Sequence, residues 1–104
     1  MANVNLIAGT AKTFSLDTTT LGALTSVTFT IYEQVNKKLT YKYKYPASEG
    51  FKTVTLVGST YSFTLSDSDS LLLNGVYGVQ VEWVKSGSTY IERAGTIEVE
   101  PSLK

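Results

Sequence analysis

The side chains with the most chemical potential fall in one short run, Lys38-Leu-Thr-Tyr-Lys-Tyr-Lys-Tyr45, where lysines alternate with tyrosines. Basic residues interleaved with aromatic rings can hold single-stranded nucleic acid, the rings stacking on bases and the ammonium groups meeting phosphate. Extended backbone sends successive side chains to opposite faces, so Leu39, Tyr41, Tyr43 and Tyr45 share one face and Lys38, Thr40, Lys42 and Lys44 the other. The two sets cannot line one groove. The run reads instead as a half-buried strand, with tyrosines toward the core and lysines in water guarding an edge. A second reading places the tyrosines at a subunit interface, where each ring gives contact area and keeps a polar tip. Tyr32, outward on an earlier strand, joins Tyr41, Tyr43 and Tyr45 as the candidate interface residues.

Other chemistry is sparse. Asp67 and Asp69 invite calcium, but an EF-hand loop needs further ligands, a glycine and a distal glutamate, and here leucines follow at once. A capped helical turn accounts for the same residues. Glu98 and Glu100, two apart on a strand, share a face; a glycosidase pair needs a cleft and one carboxyl kept protonated by burial. Beside Pro101 they read as a solvated rim. Hydroxyls are abundant, yet a hydroxyl nucleophile needs a base, and the chain holds no His and no Cys. That composition excludes zinc fingers, haem ligation by His, Cys nucleophiles and His-based triads. The expectation is a non-enzyme with no catalytic, cofactor-binding or metal-binding residues. Nine basic and nine acidic residues give zero net charge, which argues against a bulk electrostatic hold on nucleic acid or anionic membrane.

The elements that would position these residues are strands. Period-2 alternation dominates, and no long window has helical spacing. Val4, Leu6 and Ala8 share a face within 3–8, as do Phe14 and Leu16 within 12–16. Ser26 to Glu33 sends Val27, Phe29 and Ile31 inward and Thr28, Thr30 and Tyr32 outward. After the Lys/Tyr run, Phe51 to Val57 reads as one strand with Val54 and Leu56 inward; Gly58-Ser59 turns the chain into Tyr61, Phe63 and Leu65. Val76 to Lys85 points Tyr77, Val79, Val81 and Trp83 inward, and Ser86-Gly87-Ser88 returns the chain along 89–100. Ala94-Gly95 interrupts that return with a bulge. Ser66 to Gly75 differs: an N-cap serine, two early acids, three leucines and Asn-Gly predict one helical turn between two sheets. Seven or eight short strands with regular turns make an all-β sandwich, one domain over 1–104.

The first nine residues have no basic n-region and an apolar run only from Leu6 to Ala8, and no stretch reaches membrane-span length. Synthesis in a cytoplasm without general secretion is the expectation. Sugar recognition remains open: Tyr32 with loop residues around Asn36, Ser48 or Ser86 could stack on and hydrogen-bond a glycan.

The order of features carries a resemblance. The chain opens Leu6-Ile-Ala-Gly-Thr-Ala-Lys-Thr-Phe-Ser-Leu16, continues Leu24-Thr-Ser-Val-Thr-Phe-Thr-Ile31, and reaches Tyr61-Ser-Phe-Thr-Leu-Ser-Asp67. Then come Asn74-Gly-Val-Tyr-Gly-Val-Gln-Val-Glu-Trp83 and Gly95-Thr-Ile-Glu-Val-Glu-Pro101. From Leu6 to Pro101 this resembles the Ig-like β-sandwich module of tailed-phage virion proteins, including the N-terminal domains of the baseplate upper protein family. Thr10-Ala11 replaces the acidic turn usual there, and the Lys/Tyr strand is unusual. The resemblance implies an Ig-like antiparallel sandwich and a structural role in a virion: capsid decoration, head fibre, baseplate or tail. It implies docking on other virion proteins or on itself as a symmetric homo-oligomer, and no catalytic residue. A host-glycan-binding module is the alternative.

Overall fold

The computed structural model describes residues 4–101. They form nine strands and one helix: β1 (Val4–Ile7), β2 (Lys12–Asp17), β3 (Ser26–Glu33), β4 (Leu39–Tyr45), β5 (Lys52–Thr53), β6 (Thr55–Val57), β7 (Thr60–Leu65), α1 (Asp67–Leu71), β8 (Gly75–Lys85) and β9 (Ser88–Glu100). A six-stranded sheet in the order β1-β9-β8-β3-β4-β5 faces a three-stranded sheet, β2-β7-β6. The sandwich expected from the alternation is present, with two differences. The single strand expected over 51–57 is split, because the chain changes sheets at Val54, which the crossing buries between them. Two short pairings, β1 with β9 and β4 with β5, are parallel in an otherwise antiparallel architecture.

The core lies where the inward positions of both sheets meet. Its centre is aromatic: the Phe63 ring sits 5.1 Å from Phe14, 4.7 Å from Phe29 and 4.3 Å from Tyr43. Each such pair adds about 0.5–1.5 kcal/mol beyond its buried area. Antibody domains pin their two sheets with a disulfide packed on a tryptophan. This chain has no cysteine, and the rings of Phe29 and Tyr43 on one sheet packed against Phe63 on the other take the disulfide's place. Tyr77 adds a second fastening. At the start of β8 its hydroxyl donates to the Asn74 carbonyl at 3.2 Å and accepts the Asn74 N–H at 3.0 Å. This tyrosine corner fixes the turn that carries the chain from α1 into β8.

The predicted helical turn is α1. The Ser66 hydroxyl accepts the Asp69 N–H at 3.1 Å, as an N-cap does. Ser70, fully buried, ties the turn to the β1–β2 connection: its hydroxyl donates to the Thr10 carbonyl at 2.8 Å and accepts the Gly9 N–H at 3.0 Å. The bulge at Ala94-Gly95 is present as well, with Gly95 at φ 151°, a conformation few residues but glycine adopt. Beyond it, Ser88 to Arg93 pair with β8 on one side and, among the described residues, with no strand on the other. The bulge and the charges of Glu92 and Arg93 guard this open edge against indiscriminate pairing.

Candidate functional site

The outer face of the six-stranded sheet gathers the surface groups best suited to contact. Gly78 stands opposite Tyr32 in the β3–β8 ladder, and the missing side chain lets the Tyr32 ring lie flat on the backbone. A Cβ at residue 78 would collide with the Cζ atom and hydroxyl of Tyr32. Glycine is uncommon in a strand interior, and here it marks that close approach. Lys37 lies 5.7 Å from the ring centroid, within cation–π range. Around the ring, Thr30, Lys37, Leu39, Gln80 and Arg93 line a shallow depression of about 340 Å3.

The flanks of this face carry lysines on one side and glutamates together with Arg93 on the other. On the β4 side Lys42 and Lys44 lie 4.6 and 5.2 Å from the Phe51 ring centroid. On the β8 and β9 side, Glu82, Glu98 and Glu100 occupy the outward positions of their strands. Glu98 and Glu100 do share a face, as the spacing predicts, and both are exposed, the environment of a solvated rim.

The four candidate tyrosines do not form one surface. Tyr32 is outward and half-buried, as expected. Tyr41, Tyr43 and Tyr45 point the other way, and Tyr43 is only 2% exposed, so it cannot contact a partner. Tyr41 donates its hydroxyl to the Asp69 carbonyl at 3.2 Å, and Tyr45 packs edge-on against Tyr61 at 5.4 Å. Burial is the first cause that raises the Tyr41 and Tyr43 phenol pKa values above the ordinary range, with the Asp69 carboxylate adding to it. Tyr32 keeps the outward position that its spacing gives it, while burial removes Tyr43 from the interface set. Its neighbours Tyr41 and Tyr45 belong to the core's margin.

Leu39 is a further correction. Alternation places it with the tyrosines, but the β3–β4 register slips beside Ile31 and sets Leu39 opposite Tyr32. The slip turns it outward into the depression, 49% exposed. Trp83, read as core, is half-buried at its margin and stacks on Tyr90 at 5.8 Å.

The remaining candidates have structural partners. Asp69 pairs with Lys52 at 3.3 Å, and the Asp67 carboxylate accepts the Ser68 N–H at 2.8 Å. Among the described residues no group of three or more His, Cys, Asp or Glu could hold a metal ion. Asn36, offered as a sugar ligand, donates to the Glu33 carboxylate at 3.2 Å. Sequence reasoning missed Gly78, Phe51 and Arg93. The glycine inside a strand was the one available signal for the first; the other two emerge only once β5 and β9 are laid beside their neighbours.

With the geometry established, comparison with solved structures defines the class: the chain is an Ig-like all-β sandwich. It is similar to the swine CD8aa homodimer chain, with TM-score 0.63 and 9% identity over 96% of this chain and 92% of that one. It is also similar to the extracellular domain of the voltage-gated sodium channel beta4 subunit, with TM-score 0.53 and 16% identity over 98% and 93%. No protein-family model and no curated relative matches the sequence. No helix among the described residues is long and apolar enough to cross a membrane.

Proposed function

We infer that this chain is a non-enzymatic docking module that self-associates through the outer face of its six-stranded sheet. The observation that carries this is Tyr32 laid on Gly78 at the floor of an open, mixed apolar and polar depression. A rigid aromatic on a strand offers large contact area at little entropic cost, which favours it at protein interfaces. A second copy is the partner: a two-fold axis along the strands sets Thr30 of one copy against Gln80 of the other and joins the two Tyr32 depressions. Both similar structures are described as homodimers. The resemblance to tailed-phage virion modules supplies the setting, a structural component of a virus particle.

The test is an amide NMR dilution series. Self-association through this face moves the signals of Thr30, Tyr32, Gln80 and Arg93 with concentration, and Tyr32→Ala weakens the effect. Static signals on this face at every concentration would contradict the reading. A glycan-binding reading draws on the same ring, because an aromatic flanked by Gln80, Thr30 and Arg93 can also receive a sugar. A glycan array separates the two: sugar-selective binding that Tyr32→Ala abolishes selects the second.

A further inference from the structure

Exposed aliphatic side chains are not scattered evenly over this molecule. Ile7, Val35, Leu39, Leu71, Leu72 and Val76 are all exposed, and all lie at one end of the sandwich. Three connections meet there: the β1–β2 turn, the β3–β4 turn, and the segment from α1 into β8. Hydrogen bonds hold them in register. The Gln34 N–H donates to the Val76 carbonyl at 3.1 Å, and the Ala8 N–H to the Glu100 carbonyl at 2.8 Å. Leu72 shares a depression with Leu39, Tyr41 and Tyr77, and Leu71 packs beside Gly9. Val35 is 90% exposed, Leu72 77% and Leu71 61%. Single exposed leucines need no explanation, whereas a pole that collects six aliphatic side chains marks a contact surface.

We propose that this pole is a second self-contact, in which two copies meet end to end about a two-fold axis. Size and charge both point to a second copy. The Cα framework measures 46 × 28 × 27 Å, and the 13 residues of β9, at about 3.4 Å each, align the long axis with the strands. An end of 28 × 27 Å covers roughly 600 Å2, so two ends pressed together remove on the order of 1,200 Å2, the lower limit of a standard interface. The β3–β4 side of the pole carries Lys37 and Lys38 beside Glu33 and is net basic, and the other side carries Asp67 and Glu100 with Lys12 and is net acidic. The two-fold that joins the apolar centres sets the lysines of one copy against the carboxylates of its mate, and a chain of zero net charge meets itself without bulk repulsion.

This contact goes beyond the sheet-face reading and uses different residues, Lys37 and Leu39 aside. One two-fold contact makes dimers; two distinct ones on the same chain build longer strings or closed rings. Light scattering coupled to size exclusion therefore separates the claims. The wild-type chain at high micromolar concentration forms species larger than a dimer. Val35→Glu with Leu72→Glu stops at a dimer, Tyr32→Ala also stops at a dimer, and the three together give a monomer. Wild-type dimers that the glutamate variant leaves intact would overturn the pole contact while sparing the sheet face. Dimers lost in the glutamate variant and kept in Tyr32→Ala would support the pole and refute the face. A wild-type monomer overturns both. Circular dichroism melts confirm the fold, and Val35→Glu alone, at the turn's tip with little packing to lose, serves if the Leu72 change unfolds the chain.

Discussion

Tyr43→Phe should make this protein more stable. The Tyr43 ring stacks on Phe63 in the core, yet its buried hydroxyl has no hydrogen-bond partner among the described residues. An unsatisfied buried hydroxyl costs about 1–3 kcal/mol of desolvation, and phenylalanine keeps the ring while removing that cost. Allowing for a small void where the oxygen was, the net gain is about 1 kcal/mol, or roughly 4–8 °C in Tm for a domain of this size. The pH dependence has a definite sign. Burial, and then Asp69, raise the folded-state phenol pKa above that of the unfolded chain, so the folded form holds its proton longer. Its contribution is complete below the unfolded value near 10 and is lost as pH rises toward the folded one. Urea titrations followed by circular dichroism at neutral pH and above pH 10 read both effects. The variant's midpoint lies higher at neutral pH, and its advantage widens in alkali. A variant less stable by 1 kcal/mol or more would mean that the hydroxyl has a partner, and the account of Tyr43 would fall.

Three further substitutions probe the framework and the face. Tyr77→Phe removes both bonds to Asn74 and strands its N–H, costing about 1–3 kcal/mol in urea unfolding; an unchanged midpoint would deny the corner its structural role. Ser70→Ala cuts the tie between α1 and the β1–β2 turn and leaves the Gly9 N–H unpaired, for about 2 kcal/mol, with faster amide exchange at Gly9 as its local sign. Gly78→Ala lifts the Tyr32 ring off the sheet, costs about 1 kcal/mol in a thermal melt and weakens self-association. A Gly78→Ala variant that associates like the wild type would separate Tyr32 from docking.

The inward positions were legible from alternation alone. Val27, Phe29, Ile31, Phe63, Leu65, Val79 and Val81 are buried as their spacing requires, and the α1 cap and the Ala94-Gly95 bulge follow from residue type. Events set by neighbouring strands were not legible. A two-residue alternation cannot reveal where a strand leaves one sheet for the other, as at Val54, or where a register slip turns Leu39 outward. The same limit governs the site. Alternation assigned Tyr32 to the outer face, but which residues surround it depends on the order β9-β8-β3-β4, and that order brings Arg93 and Gln80 beside it. The Lys/Tyr run offered two readings, and at Tyr43 the core one holds, because the chemistry that makes a tyrosine attractive at an interface also suits it to a core.

The central claim is that this sandwich works by docking, and its most direct measurement is solution mass at low and at high salt. On the proposed reading, apolar and hydrogen-bonded contacts rather than ion pairs set the strength of the association, so salt leaves it in place. The account predicts a mass above that of the single 11.3 kDa chain at both ionic strengths, lowered by Tyr32→Ala. A monomer at every concentration and salt, unaffected by that substitution, would contradict it.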